Sequence, residues 1–161
     1  MTTGDVDRAQ FRDAMARHAA AVTLVTTDGP AGRRGVTVTS ACSVSDDPAI
    51  LLVCLNTSNA LNQRFLDNGV FAVNVLSAVQ EDLARDFSGG LPPEQRFDRG
   101  DWDRLATGAP TLPGALVSFD CRLRESQVVA THRILFGEVV ALRLSEPAAS
   151  LVYRDRRYRH L

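Results

Sequence analysis

The alternation of apolar and polar positions is clearest between residues 35 and 48. Because successive side chains of a strand point to opposite faces, this alternation predicts a strand with one apolar face and one face of small and hydroxyl groups. The apolar face is predicted to carry Val36, Val38, Cys42 and Val44. The opposite face is predicted to carry Thr37, Thr39, Ala41, Ser43 and Ser45. Small hydroxyl side chains leave room for a flat ligand close to backbone amides. A threonine-rich strand that faces solvent would show the same pattern.

The N-terminal pattern predicts an amphipathic helix over residues 7–21. Phe11, Met15 and His18 recur there at spacings of three and four, which places them on one helix face. Asp5 or Asp7 is predicted to cap the helix N-terminus, because a carboxylate accepts hydrogen bonds from the first free N–H groups.

The remaining pattern predicts a mostly β protein. Strands are predicted at residues 22–27, 49–55, 70–76, 115–129 and 133–144, and short helices at residues 60–68 and 78–87. Residues 91–114 are predicted to form a long irregular excursion anchored by Phe97 and Trp102. About six or seven strands joined mostly as hairpins favour an antiparallel barrel with peripheral helices.

Composition narrows the class of protein. The 161 residues are expected to form a single domain, 1–161, with a formal net charge of −1 and no long run of one sign. Nothing in this balance indicates a nucleic-acid partner or an anionic membrane surface. All 18 basic residues are arginine, which excludes every catalytic or phosphate-binding role that requires lysine.

The cysteines and the longest apolar run are used to predict the cellular compartment of the protein. Cys42, Cys54 and Cys121 lie far apart in the sequence without a Cys-x-x-Cys pair, as expected of buried free thiols in a reducing cytoplasm. The longest apolar run, residues 49–55, is too short to span a membrane. No cluster of metal-ligating residues has the usual spacing, so no metal site is expected. The sequence therefore favours a soluble cytoplasmic protein.

Several blocks in fixed order carry a family resemblance. They are Gly35-x-Thr37-x-x-Ser40-Ala41-x-Ser43-Val44-Ser45-x-x-Pro48, Phe71-Ala72-Val73-Asn74-Val75-Leu76, Phe87-Ser88-Gly89, His132 ahead of Phe136-Gly137-Glu138-Val139, and Leu151-Val152-Tyr153 with Tyr158. Together they resemble the short-chain flavin reductase family over nearly the whole chain. The resemblance implies an antiparallel Greek-key split barrel that binds FMN, and a homodimer. Because Phe97 and Trp102 make the 91–114 excursion too apolar to be left wholly exposed, that excursion is expected to form part of the dimer interface. It also implies that NADH or NADPH is oxidised and that reduced FMN or FAD passes to a separate flavin-dependent monooxygenase.

The resemblance also implies a set of flavin-binding residues. By motif position these are Thr37, Val38, Thr39, Ser40, Ala41, Ser43, Val44, Ser58, Asn59 and Phe87. Ser58 and Asn59 precede a predicted helix, where free N–H groups suit a phosphate, although plain helix capping explains them equally simply. Phe87 is expected to line the flavin ring or to be a core aromatic residue.

His132 is the residue that the resemblance assigns to catalysis and to the nicotinamide. The family pattern there usually has Gly-Asp-His, and this chain has Ala130-Thr131-His132, so it lacks a carboxylate that could fix the imidazole tautomer. Tyr153, Arg154 and Tyr158 resemble tail positions that close over the nicotinamide nucleotide. A solvated basic tail remains an alternative interpretation.

Two other functions remain open at the level of sequence. One is a flavin-binding electron carrier or storage protein on the same barrel, without turnover of pyridine nucleotide. Its support is the missing aspartate before His132. The other is an enzyme similar to pyridoxamine-phosphate oxidase, whose substrate-anchoring pattern is not evident. The sequence does not distinguish FMN from FAD or NADH from NADPH.

Overall fold

The computed structural model describes residues 5–161. The first helix, α1, spans Arg8–Ala16 and begins at Asp7, whose side chain forms a reciprocal capping box with Gln10. It ends earlier than predicted because residues Ala20–Ala21 form a short strand, β1. Phe11 and Met15 are exposed and α1 buries no residue, so the predicted apolar helix face is not packed into the core.

The chain continues with eleven more strands and two short α-helices among the described residues. In order, these are β2 (Thr23–Thr27), β3 (Arg34–Val38), β4 (Ala41–Asp46), β5 (Ala49–Asn56), α2 (Gln63–Asn68), β6 (Val70–Val75), α3 (Glu81–Arg85), β7 (Asp103–Arg104), β8 (Pro110–Thr111), β9 (Val117–Val129), β10 (His132–Leu144), β11 (Leu151–Arg154) and β12 (Arg157–His160). Short 3₁₀ turns precede α2 and α3 at Ala60–Asn62 and Ala78–Gln80, and a π-helical turn, Asp86–Gly90, follows α3.

Seven strands form one antiparallel sheet that rolls into a barrel. Their order is β3-β2-β6-β9-β10-β5-β4, so the two edge strands are consecutive in the chain. Two residues, 39 and 40, connect these edges, and the Cys54 amide donates to the Ser40 carbonyl at 3.1 Å. Because one short connection joins both edges, the sheet must curl until they meet. The antiparallel barrel predicted from the sequence is therefore confirmed. A second sheet, ordered β1-β11-β12, lies beside it.

The stretch 35–48 is two strands and not the single strand that the alternation predicts. The chain turns at residues 39–40 to pass from one sheet edge to the other, and this turn shifts the alternation by one position. Ala41 consequently packs with Val36 and Val38 against the barrel interior. Cys42 and Val44, predicted to share that apolar face, are exposed on the outside.

Two glycines permit close packing against the barrel sheet, Gly35 on its outer side and Gly137 on its inner side. A Cβ on Gly35 would lie 2.4 Å from the Phe87 ring, and a Cβ on Gly137 would lie 2.4 Å from the Phe71 ring. Any side chain at these positions would push an aromatic residue out of the core.

The predicted excursion is a cover for one end of the core. It contains a 3₁₀ segment, Pro93–Asp98, and the hairpin of β7 and β8. Phe97 and Trp102 pack on Phe87 with ring centroids 5.0 and 5.6 Å away. The excursion therefore buries its aromatic residues within its own chain. Within the described residues, no helix is long and apolar enough to cross a membrane.

Candidate functional site

A groove of about 850 Å³ lies between β3 and the β11–β12 hairpin. Its lining combines hydroxyl, aromatic and cationic side chains. The lining residues are Val22, Thr37, Val38, Thr39, Arg85, Ser88, Tyr153, Arg156, Arg157 and Tyr158. The structure thus brings together two sets of predicted site residues that are more than a hundred positions apart in the sequence. These sets are the hydroxyl strand and the C-terminal tyrosines.

The β11–β12 hairpin forms one wall of the groove. Tyr153 and Tyr158 pair directly across the two strands, with ring centroids 5.2 Å apart in an edge-to-face arrangement. Asp155 and Arg156 form the two-residue turn with φ values of 51° and 59°. Two consecutive positive φ values define a type I′ turn, which matches the twist of a tight hairpin. The turn sets the tyrosines opposite each other and projects Arg156 towards the groove.

Helix α3 forms the second wall and is tied to the hairpin by a charged network. The Arg85 guanidinium lies 4.7 Å from the centroid of the Tyr158 ring and donates to Glu81 at 2.5 Å. The His160 Nε2 atom lies 2.8 Å from the other Glu81 oxygen. Hydrogen bonds from Arg85 and then His160 lower the pKa of Glu81, and the Glu81 carboxylate raises the pKa of Arg85. The network therefore keeps a fixed cation beside the aromatic wall.

The third wall consists of β3 and the turn that follows it. The Thr37 hydroxyl donates to the Ala84 carbonyl at 2.7 Å, which ties β3 to α3. The Ser40 hydroxyl donates to the Cys54 carbonyl at 2.9 Å and holds the barrel corner. Thr39 is exposed, and its hydroxyl makes no hydrogen bond within residues 5–161. Of these three hydroxyls, only that of Thr39 still has its proton to donate to a ligand.

Ser58, Asn59 and His132 lie together in a second region, at the far end of β5. His132 pairs with Asn56 of β5, and the Thr57 amide donates to the Thr131 carbonyl at 3.0 Å. The Asn59 side chain accepts from the amide of Leu61 at 3.1 Å and caps the 3₁₀ turn. The capping interpretation therefore accounts for Asn59 without a ligand. None of the three predicted residues lines the groove.

The side chain of His132 is exposed and is oriented by its neighbour. Its Nδ1 atom lies 2.9 Å from the Thr131 hydroxyl. The residue that replaces the usual aspartate thus still contacts the imidazole. A hydroxyl can orient the ring but carries no charge to stabilise an imidazolium.

His132 also belongs to a partly exposed apolar surface, which we call the outer face of β5 and β10. Directly paired residues point to the same side of a sheet. On this side, Leu52 of β5 pairs with Cys42 of β4 and with Phe136 of β10, and Cys54 of β5 pairs with Ile134 of β10. These residues are half-buried except Cys42, which is exposed, while the alternate residues of β5 and β10 fill the barrel. Burial, followed by the neighbouring Cys42, raises the pKa of the Cys54 thiol. The sheet is thus apolar on both sides.

Other predicted residues lie away from the groove. Phe87 is 1% exposed within the aromatic cluster, so its position fits the core alternative and not a lining of the flavin ring. Ser43 and Val44 lie exposed on β4 beyond the corner, at a register shift of the β4–β5 pair. Arg154 lines a different groove, on the opposite side of the hairpin. These positions leave Thr37, Val38 and Thr39 as the predicted flavin residues that line the groove.

Sequence reasoning missed five groove residues, namely Val22, Arg85, Ser88, Arg156 and Arg157. A signal existed for three of them. Arg156 and Arg157 stand between the two tyrosines, and a tight hairpin there would have placed its turn beside the same ligand. Ser88 belongs to the block Phe87-Ser88-Gly89 that carries the family resemblance. Arg85 had no such signal, because only the packing of α3 brings it to β3.

The groove fits a flavin in shape and chemistry. Its volume is in the range of cofactor sites, roughly 300 to 1,000 Å³. The unpaired Thr39 hydroxyl can hydrogen-bond to the polar edge of a flat ring, and Arg85 and Arg157 can bind phosphate oxygens. The described residues contain no cluster of three or more His, Cys, Asp or Glu side chains arranged to hold a metal ion.

A closed antiparallel barrel with a cationic, aromatic groove beside a hydroxyl-bearing strand defines a small cofactor-binding β-barrel protein. Comparison with known proteins specifies the family. The family described as flavin reductase like domain matches residues 15–161. The chain belongs to this family.

Named relatives of the chain support this family assignment. The chain is 53% identical over 156 residues to FMN reductase (NADH) RutF 2 of Methylorubrum extorquens strain PA1, covering 97% of this chain and 91% of that protein. It is 49% identical over 156 residues to FMN reductase (NADH) RutF of Pantoea ananatis strain LMG 20103, covering 97% and 82%.

Solved structures agree in fold. BorF, the flavin reductase component of a bacterial two-component tryptophan halogenase, matches with a TM-score of 0.88 and 34% identity over 96% of this chain and 98% of that one. The NADH:FAD oxidoreductase SgcE6 of Streptomyces globisporus C-1027, solved with NAD and FAD fragments, matches with a TM-score of 0.89 and 30% identity. That match covers 100% of this chain and 96% of SgcE6.

Proposed function

We propose that this protein is an NADH-dependent flavin reductase that transfers hydride to FMN and releases reduced flavin to a separate monooxygenase. The observation that carries the proposal is the groove that joins Thr37–Thr39 to Tyr153 and Tyr158. It occurs in a chain about half identical to proteins named FMN reductase (NADH). FAD and NADPH are the alternative flavin and donor.

In this proposal the groove residues bind and orient the flavin. A bound flavin supplies a ring that accepts hydride, and the protein supplies orientation and electrostatics. The Thr39 hydroxyl would donate to the polar edge of the ring, and the small residues of β3 would allow close approach. Tyr153 and Tyr158, expected on the nicotinamide side, would close over one face of the ring, and Arg85 would hold Tyr158 in place.

His132 would bind the nicotinamide ring of the hydride donor. Its exposed imidazole lies beyond the barrel corner, and the Thr131 hydroxyl fixes its orientation. Because a hydroxyl replaces the family's carboxylate, the imidazole would act here as a hydrogen-bonding group that positions the nicotinamide.

We further propose a homodimer that forms through the outer face of β5 and β10. Leu52, Ile134 and Phe136 form an apolar surface with no covering element from residues 5–161. A second copy would bury this surface and enclose His132 at its end. This replaces the expectation that the 91–114 excursion forms the interface, because Phe97 and Trp102 already pack on their own chain. A single domain over residues 1–161 and a cytoplasmic location complete the proposal.

A steady-state assay tests the function. NADH and NADPH oxidation is followed at a fixed enzyme concentration with no added flavin, with FMN and with FAD. The reductase predicts NADH oxidation that rises and saturates with free FMN. An electron carrier predicts stoichiometric bound flavin that neither nucleotide reduces, and that outcome would refute the reductase.

A further inference from the structure

A second groove adjoins the first beneath helix α1. It has a volume of about 530 Å³ and is lined mainly by apolar side chains of α1 and by residues of the barrel corner. The lining residues are Phe11, Arg12, Met15, Ala16, His18, Ala20, Thr39, Ser40, Tyr153 and Arg156. Thr39, Tyr153 and Arg156 line both grooves, so the two form one continuous surface.

Arg156 stands at the junction in an unusual backbone conformation. Its φ of 59° lies in the left-handed region, which an arginine adopts only at some cost in free energy. Its guanidinium pairs with Asp13 of α1, and the neighbouring Asp155 amide donates to the Ala16 carbonyl at 2.6 Å. The hairpin turn is thereby fastened to α1, and the guanidinium is held where the grooves meet.

The chemistry changes from one side of the junction to the other. The first groove offers cations in Arg85 and Arg157, while the α1 groove offers exposed apolar surface, with Phe11 at 59% and Met15 at 50% exposure. A guanidinium binds phosphate oxygens through paired N–H donors, and an aromatic base packs on apolar side chains. A ligand spanning the junction would therefore carry a diphosphate next to an aromatic base.

We propose that Arg156 binds the diphosphate, and that Phe11 and Met15 bind the adenine, of an ADP moiety. This inference rests on the proposed function, since NADH and FAD each contain that moiety. Asp13 holds Arg156 in place without ligand and would share it with the diphosphate when ligand binds. Exposed apolar residues on a helix with no buried residue thus become a binding surface. Arg156 is a binding residue for the ligand and not a group that takes part in hydride transfer.

The decisive variant is Arg156→Gly, because glycine adopts a φ of 59° without strain. The variant should unfold at the same or a higher temperature than wild type, so that lost binding cannot be attributed to misfolding. Titration with ADP in a calorimeter should show a dissociation constant raised about tenfold or more. Arg159→Ala, which removes an exposed charge from the same hairpin, is the matched control and should leave ADP binding unchanged.

The apolar half of the proposed ADP site is tested with a double variant that combines Phe11→Ala and Met15→Ala. This pair should weaken ADP several-fold while inorganic pyrophosphate binding stays unchanged, since only the base would lose its contacts. Val79→Ala, at a 91% exposed valine outside both grooves, is the control. If neither Arg156→Gly nor the double variant weakens ADP binding, or if wild type does not bind ADP, the inference is wrong.

Kinetics identify the source of the ADP moiety. If Arg156→Gly raises the KM for NADH, with FMN as the flavin, but leaves the KM for reduced nicotinamide mononucleotide unchanged, the site binds the ADP moiety of NADH. If Arg156→Gly raises the KM for FAD but leaves the KM for FMN unchanged, the site binds the ADP moiety of FAD. Failure of wild type to reduce any flavin would refute the proposed function, whereas ADP titration tests the site independently of turnover.

Discussion

The two halves of the candidate site differ in how completely the chain builds them. The groove between β3 and the β11–β12 hairpin has three walls from one chain, tied by Thr37 to Ala84 and by Arg85 to Tyr158. The His132 region has one oriented imidazole on an open apolar sheet face. Under the proposed function, a single chain would hold the flavin ring, while the nicotinamide side would need a second surface. Four predictions test that difference.

The largest effect is expected from Ile134→Arg on the outer face. Placing an unpaired guanidinium in a buried interface should weaken the dimer by roughly 3 kcal/mol or more, which is over a hundredfold in dissociation constant. Sedimentation velocity at micromolar concentration should show a monomer. Arg122→Ala, at an exposed β9 position, is the control and should remain dimeric. A variant that sediments like wild type, or a monomeric wild type that reduces FMN fully, would disprove this role for the outer face.

Next comes Thr39→Leu in the groove. The larger side chain should occupy space that the flavin needs and remove the unpaired hydroxyl, so that FMN affinity falls by about 3 kcal/mol, or roughly a hundredfold. Because Thr39 is exposed, stability should change by less than about 0.5 kcal/mol. Fluorescence titration of FMN measures the affinity, and Thr39→Ser keeps the hydroxyl as a control. FMN binding within twofold of wild type would place the flavin elsewhere.

His132→Ala should have a smaller and separable effect. Loss of one hydrogen bond to the nicotinamide side should cost about 1.5 kcal/mol, or roughly tenfold, in kcat/KM for NADH. FMN affinity should be nearly unchanged, because His132 does not line the groove. Stopped-flow reduction of bound flavin separates the two quantities. Lost flavin binding with normal reduction would mean that the two halves were assigned the wrong way round.

The smallest effect concerns the Glu81 network and pH. Hydrogen bonds from Arg85 and His160 depress the pKa of Glu81 below its ordinary value of 4.5. For a depressed carboxyl pKa, the stabilising contribution is full above the unfolded pKa and is lost as pH falls through the folded pKa. Below about pH 4.5 the hairpin should therefore loosen from α3. Amide hydrogen exchange in β12 should speed up there in wild type, and Glu81→Gln should abolish that pH dependence. Equal pH dependence in both proteins would exclude Glu81 as its source.

Much of the fold was predictable from local pattern. Alternating and continuous apolar runs located β2, β5, β6, β9 and β10 to within a few residues. Asp7 was one of two predicted caps, and it caps α1. The pattern could not show that α1 leaves Phe11 and Met15 exposed, because amphipathic spacing does not say what lies against a helix face.

The sequence by itself determined the family, the antiparallel barrel and the strand that carries Thr37 and leads into Thr39. These features can be predicted because strand alternation and family motifs are patterns of residues close together in the sequence. Tertiary structure alone decided which residues share a groove. The corner at residues 39–40 turned Val44 outward, the packing of α3 brought Arg85 to Tyr158, and the hairpin turn delivered Arg156 to α1. The physical reason is that such neighbours are set by strand pairing and chain reversal between segments distant in sequence, for which no local periodicity exists.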